Sequence, residues 1–426
     1  MKLLIVGSGG REHALAWKIK QSEYVKELYA APGNGGILDV AECVNIPADD
    51  IRQLATFVEK KGIDLTIVGP EIPLSLGIVD YFNKRRLNIF GPSQAAARIE
   101  SSKVFAKRFM RSYDIPTASF VTFDRVEDAL EFVHSRDERL VVKADGLAAG
   151  KGTIIANNED EAETAIKRMM IERFWGDAGK KIVIEKYLEG VEASVLAFTD
   201  GENVLPLLPV QDYKRAYDNN KGPNTGGMGS VSPHPVVDKN LLQEITDTIL
   251  LPTISGLRRE GNPFKGILYA GLIVQPDRSV KVIEFNCRFG DPETQAFIPL
   301  MKSDLIEVIL YTIEERLDEA EVLWYDKKAV TVMLASGGYP KKYKKGFEIT
   351  GLKEAADMES VHIFHSGTLR RNGAYITNGG RVLGVTAVGD NYNEAFNRSY
   401  RAVDMINFER MTYRTDIGLE FIKGGV

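Results

Sequence analysis

The chain has 426 residues, too many for one compact core, so two to four domains are expected. Hydrophobic residues make up 44% and charged residues 27%, which is typical of a soluble globular protein. The formal net charge of −5, from 54 Lys and Arg against 59 Asp and Glu, argues against a nucleic-acid binder, because such proteins usually carry a basic excess.

Cysteine and histidine usage narrows the class of protein further. Cys43 and Cys287 allow at most one disulfide, and the five histidines show no spacing typical of a zinc site. No apolar stretch approaches the roughly 20 residues of a membrane span, and the N-terminal apolar run is too short for a signal peptide. We therefore expect a cytoplasmic protein whose partners are neither a membrane nor a nucleic acid.

Residues 1–101 alternate short apolar segments with helix-like segments. The apolar segments end in glycine or in proline next to glycine: "KLLIVG", "ELYAAPG", "LTIVGP" and "NIFGPS". This alternation predicts βαβ units, and hence an N-terminal α/β domain with a doubly wound parallel sheet. Ligands of such sheets bind where loops leave the carboxyl ends of the strands, and these glycine-rich loops lie there.

Residues 102–190 are expected to form a small lobe preceded by a linker helix. The helix is predicted over residues 93–113, because Pro116 forces its neighbour away from helical geometry. The segment "RLVVKADGLAAGKGTIIA" predicts a strand, a glycine-rich turn and a second strand. A helix over residues 159–172 and the strand "KIVIEKYL" complete this unit.

Two further units follow. Residues 191–325 contain apolar segments separated by hairpin-type turns such as 199–201 and 276–278, which favours antiparallel strands, and then a helix over 305–316. Residues 326–426 begin with the strand-like segment "AVTVMLASGGYP" and end with a helix over 393–407, so a separate small α+β domain is predicted.

The first motif, "GSGGREHA", joins a strand to a helix through a glycine-rich turn. Free backbone N–H groups and the helix dipole make such a turn a natural anion site. Its spacing, Gly7-x-Gly9-x-x-Glu12, lacks the third glycine of the dinucleotide fingerprint. A tight turn without any ligand and an NAD site therefore both stay open at this point.

The second motif, "VVKADGLAAGKG", places Lys143 at the end of an apolar strand, where an unpaired ammonium is costly. Gly150 and Gly152 flank Lys151 in a loop without bulky side chains, which suits a flap closing over phosphates. The alternative is an ordinary glycine-rich hairpin. A Walker A loop is excluded, because Thr153 follows Gly152 rather than a lysine.

Carboxylates and a long polar loop come next. Glu185 on a strand and Glu192 after a turn have the chemistry to bind a nucleotide's base amine and ribose hydroxyls. The alternative, which these two residues taken alone favour, is a pair of surface glutamates. The loop "QDYKRAYDNNKGPNTGGMGSVSP" exceeds fifteen residues, and such loops are usually functional or disordered. Its Asp212 and Lys214 indicate a role in substrate binding.

The stretch "VIEFNCRFGDPET" ends an apolar strand with polar groups. Glu284 and Asn286 are two residues apart, so they share one face of a strand, and oxygen ligands of this kind suit Mg²⁺ beside nucleotide phosphates. Arg288 shares that face if the strand continues, and it is suited to hold a phosphate or carboxylate. Asp291 and Glu293 follow in a turn. An edge strand with its polar face in water is the alternative.

The order of these features resembles the ATP-grasp superfamily, in which two α+β lobes clamp ATP. Over the whole chain, the motifs resemble those of the phosphoribosylamine–glycine ligase family: "GSGGREHALAWK", "APGNGG", "IVGPEIPL", "KADGLAAGKG", "GPNTGGMGS", "VIEFNCRFGDPETQ", "ASGGYP" and "TNGGRVLGVTA". The resemblance implies an ATP-grasp core between the N- and C-terminal domains. It also implies ATP-dependent ligation of glycine to 5-phosphoribosylamine through glycyl phosphate, with Mg²⁺ or Mn²⁺, by a monomer.

The resemblance also implies roles for particular residues. The metal would be held by Glu284 and Asn286, and Arg288, Asp212 and Lys214 would act at the reacting groups. The nucleotide would be held by Lys103, Lys143, Gly150, Lys151, Gly152, Glu185, Tyr187, Leu188 and Glu192. Phosphoribosylamine would be received by Gly7, Gly9, Gly10, Arg11, Gly226, Gly227, Met228 and Asp291.

Three other functions stay open on the sequence. One is a different carboxylate–amine ligase or carboxylase of the same fold, another an NAD-linked oxidoreductase, and the third a nucleotide-binding regulator without turnover. The strand "LYAGLIVQ", which precedes the predicted metal ligands, carries no acid, although many members of the superfamily place a second metal-binding carboxylate there. A second metal therefore stays an open question, as do the roles of Asp291 and Glu293.

Overall fold

The N-terminal domain contains a parallel sheet with helices packed on it. The computed structural model describes residues 1–134, 136–147 and 152–422. The strands are β1 Lys2–Gly7, β2 Glu27–Pro32, β3 Glu42–Cys43, β4 Leu65–Val68 and β5 Ile89–Phe90, and the helices are α1 Gly10–Ile19, α2 Ile51–Lys61, α3 Glu71–Ser75 and α4 Ile78–Lys84. The sheet order is β3-β2-β1-β4-β5, so the connections diverge between β1 and β4 and leave a crevice at their carboxyl ends. The predicted doubly wound sheet is confirmed.

The linker is broken where one helix was predicted over residues 93–113. Two helices form instead, α5 Arg98–Ser101 and α6 Lys103–Ser112. Ser102 between them is extended, with φ −137°, and its hydroxyl accepts from the Phe105 N–H at 3.1 Å. Because a serine in this conformation caps a helix, α6 begins anew at Lys103. The break therefore places a lysine at the first turn of a helix, facing the cleft described below.

The small lobe is an antiparallel sheet covered by helices. Its elements are β6 Phe120–Phe123, α7 Val126–Val133, β7 Leu140–Ala144, β8 Thr153–Ala156, α8 Glu159–Ile166 and β9 Ile182–Lys186. The sheet order is β6-β9-β7-β8, so β7 and β9 are central. A π-helical turn, Lys167–Ile171, continues α8 in agreement with the helix predicted over residues 159–172.

The large lobe is built on a second antiparallel sheet. The strands of that sheet are β10 Val191–Asp200, β11 Val204–Pro206, β16 Lys265–Val274 and β17 Val280–Asn286. Between β11 and β16 the chain forms four further strands outside this sheet: β12 Gln211–Asp212, β13 Arg215–Tyr217, β14 Lys221–Asn224 and β15 Gly229–Ser232. The helices of the lobe are α9 Lys239–Ile245, α10 Leu251–Arg259, α11 Glu293–Phe297 and α12 Leu305–Ile313. The sheet order is β11-β10-β16-β17, and β13 pairs with β14 alone. Strand β17 ends at Asn286, before Arg288.

The C-terminal elements are β18 Lys328–Ser336, β19 Glu348–Ile349, α13 Leu352–Ala356, β20 Val361–His365, β21 Thr368–Arg371, β22 Ala374–Thr377, β23 Arg381–Gly389, α14 Tyr392–Met405 and β24 Met411–Thr412. The main sheet has the order β12-β15-β18-β23-β20, with β24 also on β18, and a smaller sheet has the order β19-β22-β21. Strands β12 and β15 come from the long polar loop region. The chain therefore enters the C-terminal sheet about a hundred residues before residue 326, the expected start of this domain.

The N- and C-terminal domains meet through a buried histidine pair. The backbone N–H of His365 donates to His13 Nδ1 at 2.8 Å, and Asn34 Nδ2 donates to the His365 carbonyl at 2.7 Å. Burial, reinforced by His365, lowers the pKa of His13 to about 3. Burial also lowers the pKa of His365 to about 4, so both imidazoles are neutral at pH 7, which the acceptor role of His13 requires. In the described part of the chain, no helix is long and apolar enough to cross a membrane.

Candidate active site

A cleft of about 1030 Å³ lies where the two lobes and the two terminal domains meet. Its volume is at the upper end of what small-molecule sites enclose. Most of the residues singled out in the sequence line it: Gly7, Gly9, Arg11, Lys103, Lys143, Gly152, Glu185, Tyr187, Leu188, Glu192, Asp212, Lys214, Gly226, Glu284, Asn286, Arg288 and Asp291. Gly150 and Lys151 lie outside the described residues.

Three of the predicted substrate residues do not line the cleft. Met228 is only 2% exposed, and its N–H donates to the Tyr213 carbonyl at 2.8 Å, so it belongs to the core beneath the cleft. Gly10 lies against other side chains, since a Cβ there would come within 2.5 Å of both Gln295 Nε2 and Ser366 Oγ. Gly227 is buried, and a Cβ there would lie 2.4 Å from Pro292 Cδ. Neighbouring atoms of the protein thus surround all three residues, and their role toward a substrate stays a prediction.

Lys103 and Glu284 form an ion pair in the cleft. Lys103 Nζ donates to Glu284 Oε2 at 2.9 Å, across the gap between α6 and β17. The lysine strongly lowers the pKa of Glu284, although burial opposes this effect. For Lys103, burial disfavours the charge, but the Glu284 carboxylate outweighs it and the pKa is raised. Both groups are therefore charged, which is the state that binding of a phosphate by the lysine or of a metal by the carboxylate would require.

Glu185 is held between two buried lysines. Lys143 and Lys107 each lie 3.0 Å from its carboxylate, and all three side chains are at most 4% exposed. Lys143 Nζ also donates to the Ile283 carbonyl at 3.0 Å, at a point where the pairing of β16 with β17 skips one residue. This network ties the small lobe to the strand that carries Glu284. Lys107 does not line the cleft, whereas Lys143 does.

Burial and the lysines act in opposite directions on Glu185. Burial alone would raise its pKa, but the ammonium groups of Lys143 and Lys107 lower it below the ordinary value. Burial lowers the pKa of Lys107 to about 8, in spite of Glu185. Of the two interpretations left open for Glu185, a surface residue is wrong. Its role toward an adenine base stays a prediction, because both lysines already neutralise the carboxylate.

Arg288 is bound by carboxylates from the N-terminal half of the chain. Its Nε lies 3.3 Å from Glu71 Oε2, and its Nη2 lies 3.2 Å from both Glu100 Oε1 and Asn286 Oδ1. Arg288 was expected to share the strand face only if the strand continued, and β17 ends at Asn286, so this condition is not met. The guanidinium still reaches Asn286, because the bend after the strand turns the side chain back.

Lys214 and Asp212 lie on the large-lobe side of the cleft. Lys214 Nζ donates to Glu192 Oε2 at 2.9 Å, which connects two residues predicted to have separate roles. Burial disfavours the Lys214 charge, but Glu192 outweighs this and the pKa is raised well above its usual range. The pKa of Asp212 is also raised, by burial and by Glu293. Its Oδ1 is buried without a hydrogen-bond partner in the described structure.

The Tyr269 hydroxyl holds the Glu293 carboxylate in place. The Tyr269 hydroxyl donates to Glu293 Oε1 at 2.8 Å and lies 2.7 Å from Ser194 Oγ. Burial and the Glu293 carboxylate raise the pKa of Tyr269 well above its usual range, so the phenol stays protonated. Glu293 is 4% exposed, and together with Asp212 it places two carboxyl groups at the cleft, where they can accept hydrogen bonds from an amine or ammonium group.

The glycine-rich turn after β1 is occupied by carboxylates of the protein. Glu12 Oε2 accepts from the Gly9 N–H at 2.5 Å, and Asp291 Oδ2 lies 3.4 Å from the Arg11 N–H. Arg11 Nη1 donates to the Phe289 carbonyl at 2.9 Å. The turn therefore attracts anionic groups as predicted for a helix N-terminus, but protein side chains supply two of them. Binding of a substrate phosphate here stays a prediction.

Five further residues of this site were not predicted from the sequence. They are Glu71, Glu100, Lys107, Tyr269 and Arg381, of which all but Lys107 line the cleft. Glu71 stands in "GPEIPL" at the end of a predicted parallel strand, so its position alone was a usable signal. The others lie on helices or strands whose patterns are ordinary, and only their tertiary contacts distinguish them.

Three family models match consecutive parts of the chain. The N domain of phosphoribosylglycinamide synthetase matches residues 1–100, its ATP-grasp (A) domain residues 101–294 and its C domain residues 329–420.

Relatives of known name align over nearly the full length. The chain is 50% identical over 417 residues to the phosphoribosylamine–glycine ligase of Caldanaerobacter subterraneus subsp. tengcongensis, which covers 98% of this chain and 99% of that protein. It is 48% identical over 424 residues to the enzyme of that name from Vibrio vulnificus, with 99% of each chain covered.

Solved structures show the same architecture. The crystal structure of phosphoribosylamine–glycine ligase from Thermotoga maritima superposes with a TM-score of 0.85 at 33% identity, covering 98% of this chain and 100% of that one. Biotin carboxylase from Campylobacter jejuni, solved with β,γ-ATP, shares the fold with a TM-score of 0.75 at 15% identity, covering 99% and 96%.

The two lobes around the charged cleft define the chain as an ATP-grasp protein. Within that class it belongs to the phosphoribosylglycinamide synthetase family, whose named relatives are phosphoribosylamine–glycine ligases. The resemblance and the fold class predicted from the sequence are confirmed.

Proposed function

We propose that the chain ligates glycine to 5-phosphoribosylamine, with ATP converted to ADP and phosphate, and so makes glycinamide ribonucleotide for purine biosynthesis. The observation that carries this proposal is the cleft itself, which is lined by the Lys103–Glu284 and Lys143–Glu185 ion pairs and also by the carboxyl groups of Asp212, Glu293 and Asp291. The ion pairs suit a triphosphate and a metal, and the additional carboxyl groups suit an amine. Family membership specifies which carboxylate and which amine.

Lys103 and Lys143 are proposed to hold the ATP phosphates. Each ammonium forms an ion pair with a carboxylate and lines the cleft, so each has the charge and the position to bind phosphate oxygens. Tyr187 and Leu188 supply backbone groups for the base at the edge of the cleft, with Glu192 toward the ribose. The loop from 144 to 152, part of which lies outside the described residues, is proposed to exclude water from the reacting groups.

A divalent cation, Mg²⁺ or Mn²⁺, fits Glu284 and Asn286. Glu284 is ionised at neutral pH because Lys103 lowers its pKa, and Asn286 offers an amide oxygen two residues further along β17. Among the described residues, no group of three or more His, Cys, Asp or Glu is arranged to hold a metal. Two protein ligands are what Mg²⁺ commonly takes beside nucleotide phosphates. When bound, the cation neutralises charge on the phosphates during transfer.

The chemistry follows from the weakness of a carboxylate as an electrophile. A glycine carboxylate oxygen attacks the γ-phosphorus of ATP, ADP leaves, and glycyl phosphate forms. The sugar amine then attacks the acyl carbon and expels phosphate. Arg288 and Lys214 are proposed to steady the anionic groups, and Asp212, a carboxyl group that lines the same cleft, is proposed to receive the proton that the amine loses.

The acceptor is proposed to bind between the N-terminal and C-terminal domains. The turn residues Gly7, Gly9 and Arg11 line that end of the cleft, as do Gly226 and Asp291. We further propose that the units 1–101, 102–190, 191–325 and 326–426 act as one monomer in the cytoplasm. Sedimentation velocity over a range of protein concentrations tests the monomer.

The proposal is tested by ADP release with each substrate omitted in turn. We expect release to require ATP, glycine, phosphoribosylamine and a divalent cation together, and glycinamide ribonucleotide to form in equal amount. Bicarbonate-dependent ADP release without glycine would instead identify a carboxylase of the same fold. ATP binding without any turnover would identify a regulator, and nicotinamide cofactor binding without ATP binding an oxidoreductase.

A further inference from the structure

Arg381 begins strand β23 of the C-terminal sheet, yet its guanidinium lies in the cleft. Nη1 donates to the carbonyl oxygens of Gly226 and, at 2.8 Å, of Asp291. Nη2 lies 3.1 Å from Asp291 Oδ1, and the side chain is 18% exposed. One side chain of the C-terminal domain therefore joins two turns that are separated by more than sixty residues in sequence.

The first of these turns, residues 225–228, is held on both sides by the C-terminal domain. The Gly226 N–H donates to the Tyr339 hydroxyl at 2.9 Å, while Arg381 binds the Gly226 carbonyl. Gly227 has φ +105°, and a Cβ there would lie 2.5 Å from Asp212 Oδ1 and 2.4 Å from Pro292 Cδ. The position of this turn therefore sets the spacing between Asp212 and the 291–292 turn.

The second turn places Asp291 against the N-terminus of α1. Asp291 Oδ1 accepts from Gln295 Nε2 at 2.8 Å, and a Cβ on Gly9 would lie 2.9 Å from Asp291 Oδ2. Burial disfavours the carboxylate charge, but Arg381 and then Arg11 outweigh it and the pKa of Asp291 is lowered. Asp291 is thus an ionised group whose place depends on Arg381.

We propose that Arg381 is a positioning residue for the phosphoribosylamine subsite, acting through Asp291 and the 225–228 turn. Arg381 contacts the turns that carry Gly226 and Asp291, whereas the ion pairs assigned to ATP join residues of α6, β7, β9 and β17 and do not include Arg381. Without Arg381, the 225–228 turn and Asp291 lose a contact that holds them in place for the acceptor. The residues assigned to ATP keep their contacts. This inference rests on the proposed function, which the wild-type ADP-release assay tests first and separately.

The experiment compares steady-state kinetics of the wild type with those of Arg381→Ala and Arg381→Lys. We expect the KM for phosphoribosylamine to rise at least about tenfold in Arg381→Ala, because charge-assisted hydrogen bonds to a positioned group are lost. The KM for ATP should stay within about twofold on the same reasoning. Arg381→Lys should be intermediate, since it keeps the charge beside Asp291 but cannot bridge both turns.

A matched control separates positioning from general domain contact. Arg370 also lies in the C-terminal domain and pairs with Asp39 of the N-terminal domain at 3.0 Å, outside the cleft lining. Arg370→Ala should leave both KM values unchanged. The reverse reaction, run with glycinamide ribonucleotide, ADP and phosphate, provides a stable substrate for the same comparison, and its KM for glycinamide ribonucleotide should rise in parallel.

Several results would overturn the inference. Equal increases in the KM for ATP and for phosphoribosylamine would show a general structural role, and unchanged values would show that Arg381 positions nothing. Thermal melting of each variant establishes that it is folded. If Arg381→Ala does not fold, Arg381→Lys decides: a selective rise in the KM for phosphoribosylamine supports the inference, and wild-type kinetics contradict it.

Discussion

Lys103 Nζ lies 2.9 Å from Glu284 Oε2, although 181 positions separate the two residues. The pair joins the first turn of helix α6 to the C-terminal end of strand β17. The lysine keeps the carboxylate ionised, and the carboxylate orients the ammonium group, before any ligand binds. The group proposed to bind metal is therefore preorganised by the group proposed to bind phosphate.

Replacing Glu284 tests this pair. Glu284→Gln keeps the shape of the side chain but removes its charge, so Mg²⁺ loses its anionic protein ligand and Lys103 its partner. We expect Mg²⁺-dependent kcat to fall by at least about a hundredfold, with the fold retained. Mutation of residues that only hydrogen-bond to a metal ligand already lowers activity or metal affinity by about 10–100-fold. ADP release over a Mg²⁺ titration measures this effect. Glu23→Gln, at an exposed position, is the control. Near-wild-type kcat at saturating ATP would refute the metal assignment.

The two lysines at Glu185 form a matched pair for mutation. Lys143→Met and Lys107→Met each remove one ammonium 3.0 Å from the same carboxylate. Because one lysine remains in each variant, we expect both to lose about 1–3 kcal/mol of unfolding free energy in urea. Only Lys143 lines the cleft, so only Lys143→Met should weaken ATP binding, by about tenfold or more. Calorimetric titration with ATP measures this, and an equal loss of affinity in both variants would show that Lys143 acts only as a structural residue.

The His13–His365 contact predicts acid sensitivity of the domain interface. The folded-state pKa of His13, about 3, is below the ordinary value of 6.5, so the unfolded chain binds more protons between these values. Its contribution to stability is complete above pH 6.5 and falls as the pH decreases, by about 2 kcal/mol at pH 5. His13→Asn retains an acceptor for the His365 N–H but does not titrate.

Urea unfolding from pH 7 to pH 5 should therefore show a shallower loss of stability in His13→Asn than in the wild type. His134→Asn is the control, because the His134 side chain is 82% exposed. An identical pH dependence in wild type and His13→Asn would mean that His13 is not the group that titrates.

Gly227 tests how tightly the 225–228 turn is packed. Gly227→Ala adds a Cβ that would overlap Asp212 and Pro292 in a left-handed backbone conformation, so the turn must move. We expect kcat/KM for phosphoribosylamine to fall on the order of a hundredfold, as expected when reacting groups shift by about 1 Å. Gly62→Ala is the control: Gly62 also has positive φ, +64°, but open space around it, so its cost should be limited to about 1 kcal/mol of stability. Comparable activity in the two variants would contradict a role of this turn.

Features whose signals are local could be predicted from the order of the residues alone. Glu284 and Asn286 share a face because side chains alternate along a strand, and Lys143 was visible as a charge at the end of an apolar strand. The glycine-rich turn after β1 indicated a domain with a parallel sheet, because such a turn joins a strand to the helix that follows it. These patterns lie within a few residues of each other, so secondary structure alone converts them into geometry.

Which charged groups contact one another, by contrast, depends on how the domains pack. Nothing in the sequence of α6 distinguishes the buried Lys107 from its exposed neighbour Arg108, and nothing in β23 indicates that Arg381 reaches across to Asp291, ninety positions earlier. The break at Ser102 and the entry of β12 and β15 into the C-terminal sheet also depend on packing. Charges far apart in the chain become partners when burial removes water, since the desolvation cost is then met only by a specific opposite charge.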